Sequence, residues 1–208
     1  MSDLIMTEAL ERSLSNEGAS FMSSGFDVSV ELKESQWSEF LPHHQALIHR
    51  AVIASYVFAG FSADPSSSET TLISEAELSV VLANDVSVQA LNKEYRGKDK
   101  PTNVLSFSTL DDPDEADLAS QRGVLPLGDI VLSIETLILE ANEQSKRLED
   151  HFSHLLVHGV LHLLGYDHIE DDDALEMEGL EVEILNRLGV NNPYELDGDR
   201  LLQGMIDE

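Results

Sequence analysis

The sequence predicts a single α+β domain, and three observations predict it. Four short stretches carry the two-residue alternation or the apolar run of a β-strand, and they are interleaved with longer stretches of helical spacing. The 208 residues are enough for one core of ordinary size. There is no cysteine, so disulfides and thiolate metal ligands are excluded, which fits a reducing compartment.

Residues 1–25 are polar, Ser-rich and aperiodic, and read as a flexible N-terminal leader ahead of a domain spanning 26–194 and a polar tail, 195–208. Val28, Val30 and Leu32 alternate along a first strand, residues 26–32. A helix over about 44–61 carries Leu47, Ile48, Ala51, Val52, Ser55 and Tyr56 on one stripe, with His43, His44 and His49 as surface or capping residues. A Ser/Pro/acid loop (63–71) leads to a second strand, 77–83. Asn84-Asp85 caps a helix running to Tyr95, whose apolar side is Val86, Val88, Leu91 and Tyr95. A basic turn, Arg96 to Lys100, closes at Pro101, and residues 103–109 alternate as a third strand. Residues 111–122 are an acidic, exposed loop, and 124–134 form a fourth strand containing Gly128-Asp129. Three helices complete the chain, at 135–145, 150–164 and 169–188, the last with Met177, Leu180, Ile184 and Leu188 facing inward. Glu170, Asp171, Asp172 and Asp173 crowd its start, where they complement the helix dipole. Beyond Asn191 the chain is polar and expected to fray.

Forty acidic residues against 12 basic ones give a formal net charge of −28. Taken whole, that charge repels a phosphate backbone. Screening over about 8 Å makes distant acids matter less than the charge lining a site. Four of the 12 basic residues, Lys93, Arg96, Lys98 and Lys100, fall within eight positions, so the local balance is positive there. Met1 to Ser24 has neither a basic nor an apolar region of a signal peptide, and the apolar stretch Ala51 to Phe61 is too short to span a bilayer. The expectation is a cytoplasmic protein with no membrane contact.

The chemistry concentrates in the run from His158 to His168. His158, His162 and His168 stand at i, i+4 and i+10, with Gly165 at i+7. On a helix the first two share a face, one turn apart. Gly165 can adopt the left-handed conformation that ends the helix and returns His168 to the pair. Three imidazoles with an open fourth position are a recurrent catalytic zinc arrangement, so one Zn2+ per chain is expected. The spacing matches the metzincin peptidase signature H-E-x-x-H-x-x-G-x-x-H with one departure. Gly159 stands where the peptidase carries its general-base Glu, and has no side chain to move a proton.

A phosphodiester reacting at such a site needs a positive partner. Arg96 is the candidate catalytic group, because its planar guanidinium can grip two phosphate oxygens and stabilise growing charge. Lys93, Lys98 and Lys100 are candidate substrate contacts; the alternative is that all four solvate a turn. Asp167 either orients an imidazole or caps the turn. His154, one turn before His158, reads as structural, and His151 as an exposed residue at the helix start. No serine or cysteine arrangement suggests covalent catalysis, and no Gly-rich phosphate loop is present.

These motifs converge on a known family. The run from His158 to His168 resembles the metal signature of the YbeY family of bacterial rRNA maturation endoribonucleases. Leu91 to Phe107 (LNKEYRGKDKPTNVLSF) is similar to its second hallmark, and Leu127-Gly128-Asp129-Ile130 and Leu188-Gly189 to Pro193-Tyr194 match further. The resemblance implies an α+β domain with a small mixed four-stranded sheet packed with helices and a zincin-like metal-binding helix. It implies a zinc-dependent, single-strand-specific endoribonuclease maturing the 3′ end of 16S rRNA and acting in ribosome quality control. Its partners would be precursor rRNA and the small ribosomal subunit, without DNA. By likeness His158, His162 and His168 bind zinc and Arg96 is the required arginine. Ser108 stands where members often have proline, and residues 111–122 are a local expansion. Two other readings compete, namely a zinc peptidase whose base lies elsewhere, such as Asp167, and a zinc-stabilised, non-catalytic module that binds ribosomal components.

Overall fold

The structure is a computed structural model that describes residues 26–60, 75–109 and 124–195. The expected leader, the loops at 63–71 and 111–122, and the chain beyond 195 lie outside the described residues.

Alternation produces four strands, β1 (Phe26–Leu32), β2 (Glu75–Ala83), β3 (Val104–Ser108) and β4 (Val124–Ser133). They form one mixed sheet in the order β1-β2-β4-β3, with β1, β2 and β4 parallel and β3 antiparallel on the edge. The described helices are α1 (Gln36–Phe40), α2 (His44–Gly60), α3 (Asp85–Arg96), α4 (Ile134–Glu143), α5 (Leu148–Leu163) and α6 (Asp171–Arg187). None of them is long and apolar enough to cross a membrane.

The pleat of the sheet divides these helices. Leu78, Val80 and Leu82 of β2, Ile130 and Leu132 of β4 and Val104 of β3 belong to the main core with α2, α4, α5 and α6. Residues of opposite parity, Val81, Leu105, Phe107 and Val131, pack with Val88 and Leu91 of α3 on the other face. Helix α5 is buried along most of its length, because it lies between the sheet and the helices α2 and α6. Deep burial of a helix next to a sheet requires a close approach, and Gly159 provides it. A Cβ there would stand 3.1 Å from both Ile130 Cδ1 and Ser106 Oγ.

Several expectations need correction. Helix α1 was not foreseen, since five residues show no period; its Trp37 is fully buried, donates from Nε1 to the Ala83 carbonyl at 2.8 Å and packs on Phe152. His44 is buried, and its Nδ1 meets the Leu41 carbonyl at 2.8 Å. His151 is buried rather than exposed, because its ring pairs with Glu140 at 2.9 Å beneath Asn103. On α3, Val86 and Tyr95 are exposed, and Asn92 is buried instead, donating to the Lys100 carbonyl. Where the chain beyond Asn191 is expected to fray, residues 193 and 194 are anchored; Lys146 holds the Pro193 carbonyl at 2.9 Å, and Tyr194 reaches Glu181.

Candidate metal centre

Helix α5 carries Glu149 and Asp150 in its first turn, at the positive end of its dipole, and stops within a residue of where the sequence expects it to. Gly165 takes φ +93°, the Gly165 amide donates to the His162 carbonyl and the Tyr166 amide to the Leu161 carbonyl. This is a Schellman ending, and it needs a residue that tolerates positive φ. The reversal folds residues 166–168 back along the last turn. His168 then stacks on His158 with ring centroids 5.4 Å apart and meets His162 edge-on at 4.9 Å. One ring nitrogen from each of the three histidines lies within 4.8 Å of the other two.

The Nε2 atoms of His158 and His162 stand 3.1 Å apart. What the opposite nitrogens touch decides the meaning of that distance. His162 Nδ1 faces the Tyr166 carbonyl at 3.0 Å, which can only accept, so Nδ1 carries the hydrogen. His158 Nδ1 faces Glu181 Oε1 at 2.8 Å. The Glu181 carboxyl is held down to about 2; burial pushes it up, but hydrogen bonds from His154, His158 and Tyr194 outweigh that. It is therefore ionised and accepts. The two Nε2 atoms are thus left turned toward a common point, where a shared cation can take both as ligands. Burial and the neighbouring imidazoles lower the His162 pKa to about 4, which keeps that ring neutral and free to ligate. The donor set fits a divalent metal of borderline softness such as zinc.

Glu181 was not found from the sequence. Its side chain is 1 % exposed on α6, and it accepts from His158, from His154 at 3.0 Å, and from the Tyr194 hydroxyl. One carboxylate thus ties α5, α6 and the segment after α6 together behind the candidate ligand. The signal available was a Glu on the inward stripe of Met177, Leu180 and Ile184, where a charge survives only with partners. Asp167 accepts from the His168 amide at 2.7 Å, and the same oxygen stands 3.8 Å from the His168 ring Nδ1, so it holds the turn and lies against an imidazole at once.

Gly159 also bears on the competing peptidase reading. A Glu at that position would begin with its Cβ 3.1 Å from the side chains of Ile130 and Ser106, which would have to yield by a few tenths of an ångström to admit a peptidase base.

The basic residues lie on the other face of β3. Ser106 and Ser108 turn toward α5, where Ser108 Oγ reaches the Leu163 carbonyl at 3.4 Å, while Phe107 turns toward α3. Tyr95, next to Arg96, packs on Phe107. Arg96 ends α3 beside Gly97, whose φ of +69° terminates the helix. The arginine and the histidines thus flank the same edge strand from opposite sides, and no described hydrogen bond joins them. Arg96, Lys98 and Lys100 are exposed, with no ion pair among the described residues. Lys93 is held by Asp99 at 2.7 Å.

The family model described as Endoribonuclease YbeY matches residues 61–189. The chain is 44% identical over 173 residues to Endoribonuclease YbeY of Paramagnetospirillum magneticum, covering 83% of this chain and 98% of that protein. It is 47% identical over 167 residues to Endoribonuclease YbeY of Rhodospirillum rubrum, covering 80% of each. The solution structure of TM1509 from Thermotoga maritima aligns over 82% of this chain and 97% of that one, with a TM-score of 0.44 and 21% identity.

Proposed function

Because this chain belongs to the YbeY endoribonuclease family, we propose that it is a zinc-dependent enzyme that cleaves single-stranded RNA in rRNA maturation and ribosome quality control, acting on precursor 16S rRNA of the small subunit. The observation that carries the reading is the pair of Nε2 atoms 3.1 Å apart, with the third imidazole beside them.

His158, His162 and His168 would hold the ion. When bound, zinc in an imidazole set supplies an acidified water and Lewis-acid polarisation of a phosphoryl oxygen. The chain's own residues do the rest. Glu181 and the Tyr166 carbonyl fix the tautomers and directions of two ligand rings, a role that hydrogen-bonded partners of metal-binding histidines commonly fill. Arg96, exposed and unpaired among the described residues, grips the scissile phosphate and stabilises charge that grows on its oxygens. Lys98 and Lys100 hold neighbouring phosphates, whereas Lys93 first has to leave Asp99.

The test is a metal analysis and a cleavage assay on the same preparation, using single-stranded and duplex RNA. Zinc at one equivalent, cleavage confined to single strands and a silent His162→Ala protein prepared identically are expected. Arg96→Ala is expected to keep its zinc and lose two to three orders of magnitude in rate, roughly the scale for one transition-state donor. Parent-like cleavage by Arg96→Ala would remove the arginine from the reaction. A metal-loaded protein inert on RNA would remove the reading itself.

A further inference from the structure

Tyr95 is the most exposed of the large aromatic side chains among the described residues, at 64%. It is nevertheless not loose. Its ring meets Phe107 in an edge contact with centroids 5.1 Å apart and an interplanar angle of 66°, and Phe107 is itself packed against the buried cluster beneath α3. An edge contact occupies at most one face of the tyrosine, so at least one face is open to solvent. The other exposed aromatics lie in different settings. Tyr194 is pinned by its hydroxyl to Glu181, and Phe40 ends α1. Tyr95 alone precedes Arg96, with Lys98 and Lys100 three and five positions further on, past the end of α3. Its support, Phe107, lies on β3 between Ser106, which faces Gly159, and Ser108, which reaches Leu163. Those two contacts fall on the stretch of α5 that carries His158 and His162.

From this juxtaposition we infer that Tyr95 is a nucleobase-stacking subsite, which holds one unpaired base of the RNA while Arg96, Lys98 and Lys100 hold the adjoining phosphates. The inference rests on the RNA-cleaving reading above. An aromatic face immobilised by a second ring loses little freedom on binding and accepts any base, because every base presents a π-face. A base in a duplex has both faces covered by its neighbours, so the subsite would take only an unstacked nucleotide. The β3 edge then separates two parts of one binding track, the stacking face on the α3 side and the histidines on the α5 side.

The test is fluorescence anisotropy with the metal-loaded full chain and an end-labelled 2′-O-methyl oligonucleotide, compared with an abasic strand of equal length and charge. The parent is expected to prefer the base-bearing strand by about five- to a hundredfold, the range for one stacked base. Tyr95→Phe should keep that preference, and Tyr95→Ala should abolish it without changing affinity for the abasic strand. Circular dichroism and melting temperature report whether Tyr95→Ala is folded; if it is not, Tyr95→Leu, which keeps apolar contact with Phe107 but has no π-face, takes its place. A folded variant without an aromatic ring that retains the preference overturns the subsite, as does a parent that binds both strands alike. A parent that neither binds nor cleaves RNA instead overturns the function on which the subsite rests.

Discussion

A buried carboxylate survives only when its oxygens are occupied, and those of Glu181 accept from two imidazoles and a phenol. Replacing it with Gln removes the charge and turns one acceptor into a donor, so the three partners cannot all be satisfied. Glu181→Gln is expected to weaken metal binding by about ten- to a hundredfold in a chelator competition, with its far-ultraviolet circular dichroism unchanged. Unchanged affinity would reduce Glu181 to a packing residue. Protons act at the same place. In the metal-free protein His162 titrates near 4 against an ordinary 6.5, so between those values the unfolded chain binds the extra proton. Its contribution is intact above 6.5 and is lost as the pH falls to about 4. Glu181, lowered from 4.5 to about 2, adds its own loss below 4.5. Melting temperature of the metal-free protein should therefore fall from pH 6.5 downward, and His162→Asn should flatten the upper part of that fall. The three histidines were legible in the sequence because helical spacing and one glycine are local properties. Glu181 and Tyr194 were hidden because their partners lie up to 27 residues away, across a packing of helices that spacing does not encode.

At the level of elements, the ending of α5 does more than stop a helix. Gly165 places the Tyr166 carbonyl under His162 and carries the chain to His168, so one backbone conformation positions two of the three candidate ligands. An alanine Cβ at Gly165 would meet nothing within 4 Å, which leaves backbone strain as the cost of the substitution. Gly165→Ala is expected to lower stability by about 1–2 kcal/mol, the penalty for the left-handed region, and to weaken metal binding as well. Denaturant unfolding with and without zinc separates the two effects; loss of stability with full metal affinity would mean that the turn has an alternative path to the same site. The strands and long helices were readable from periodicity for the same local reason as the turn. The sheet order was not, since β2 pairs with β4 only after α3 and β3 have been laid aside, and alternation says which residues share a face without naming the neighbour.

For the molecule as a whole, the formal charge of −28 and an RNA substrate conflict only if charge is averaged over the surface. Ionic screening over about 8 Å confines the relevant field to the residues near the strand. Of the four basic residues at the end of α3 and the turn after it, Lys93 is already neutralised by Asp99, which leaves Arg96, Lys98 and Lys100. Three phosphate contacts on a single strand correspond to a slope of about −2 for the logarithm of affinity against the logarithm of salt concentration, at roughly −0.7 per contact. Lys98→Ala combined with Lys100→Ala leaves one contact and should bring the slope to about −0.7. Neutralising two acids on the far side of the protein should change neither slope nor affinity appreciably. Anisotropy titrations of a non-cleavable oligonucleotide across a salt series measure all three proteins. A double variant with the parental slope would mean that RNA lies elsewhere on the surface, and a marked gain on removing distant acids would mean that the overall charge, rather than this turn, governs the encounter.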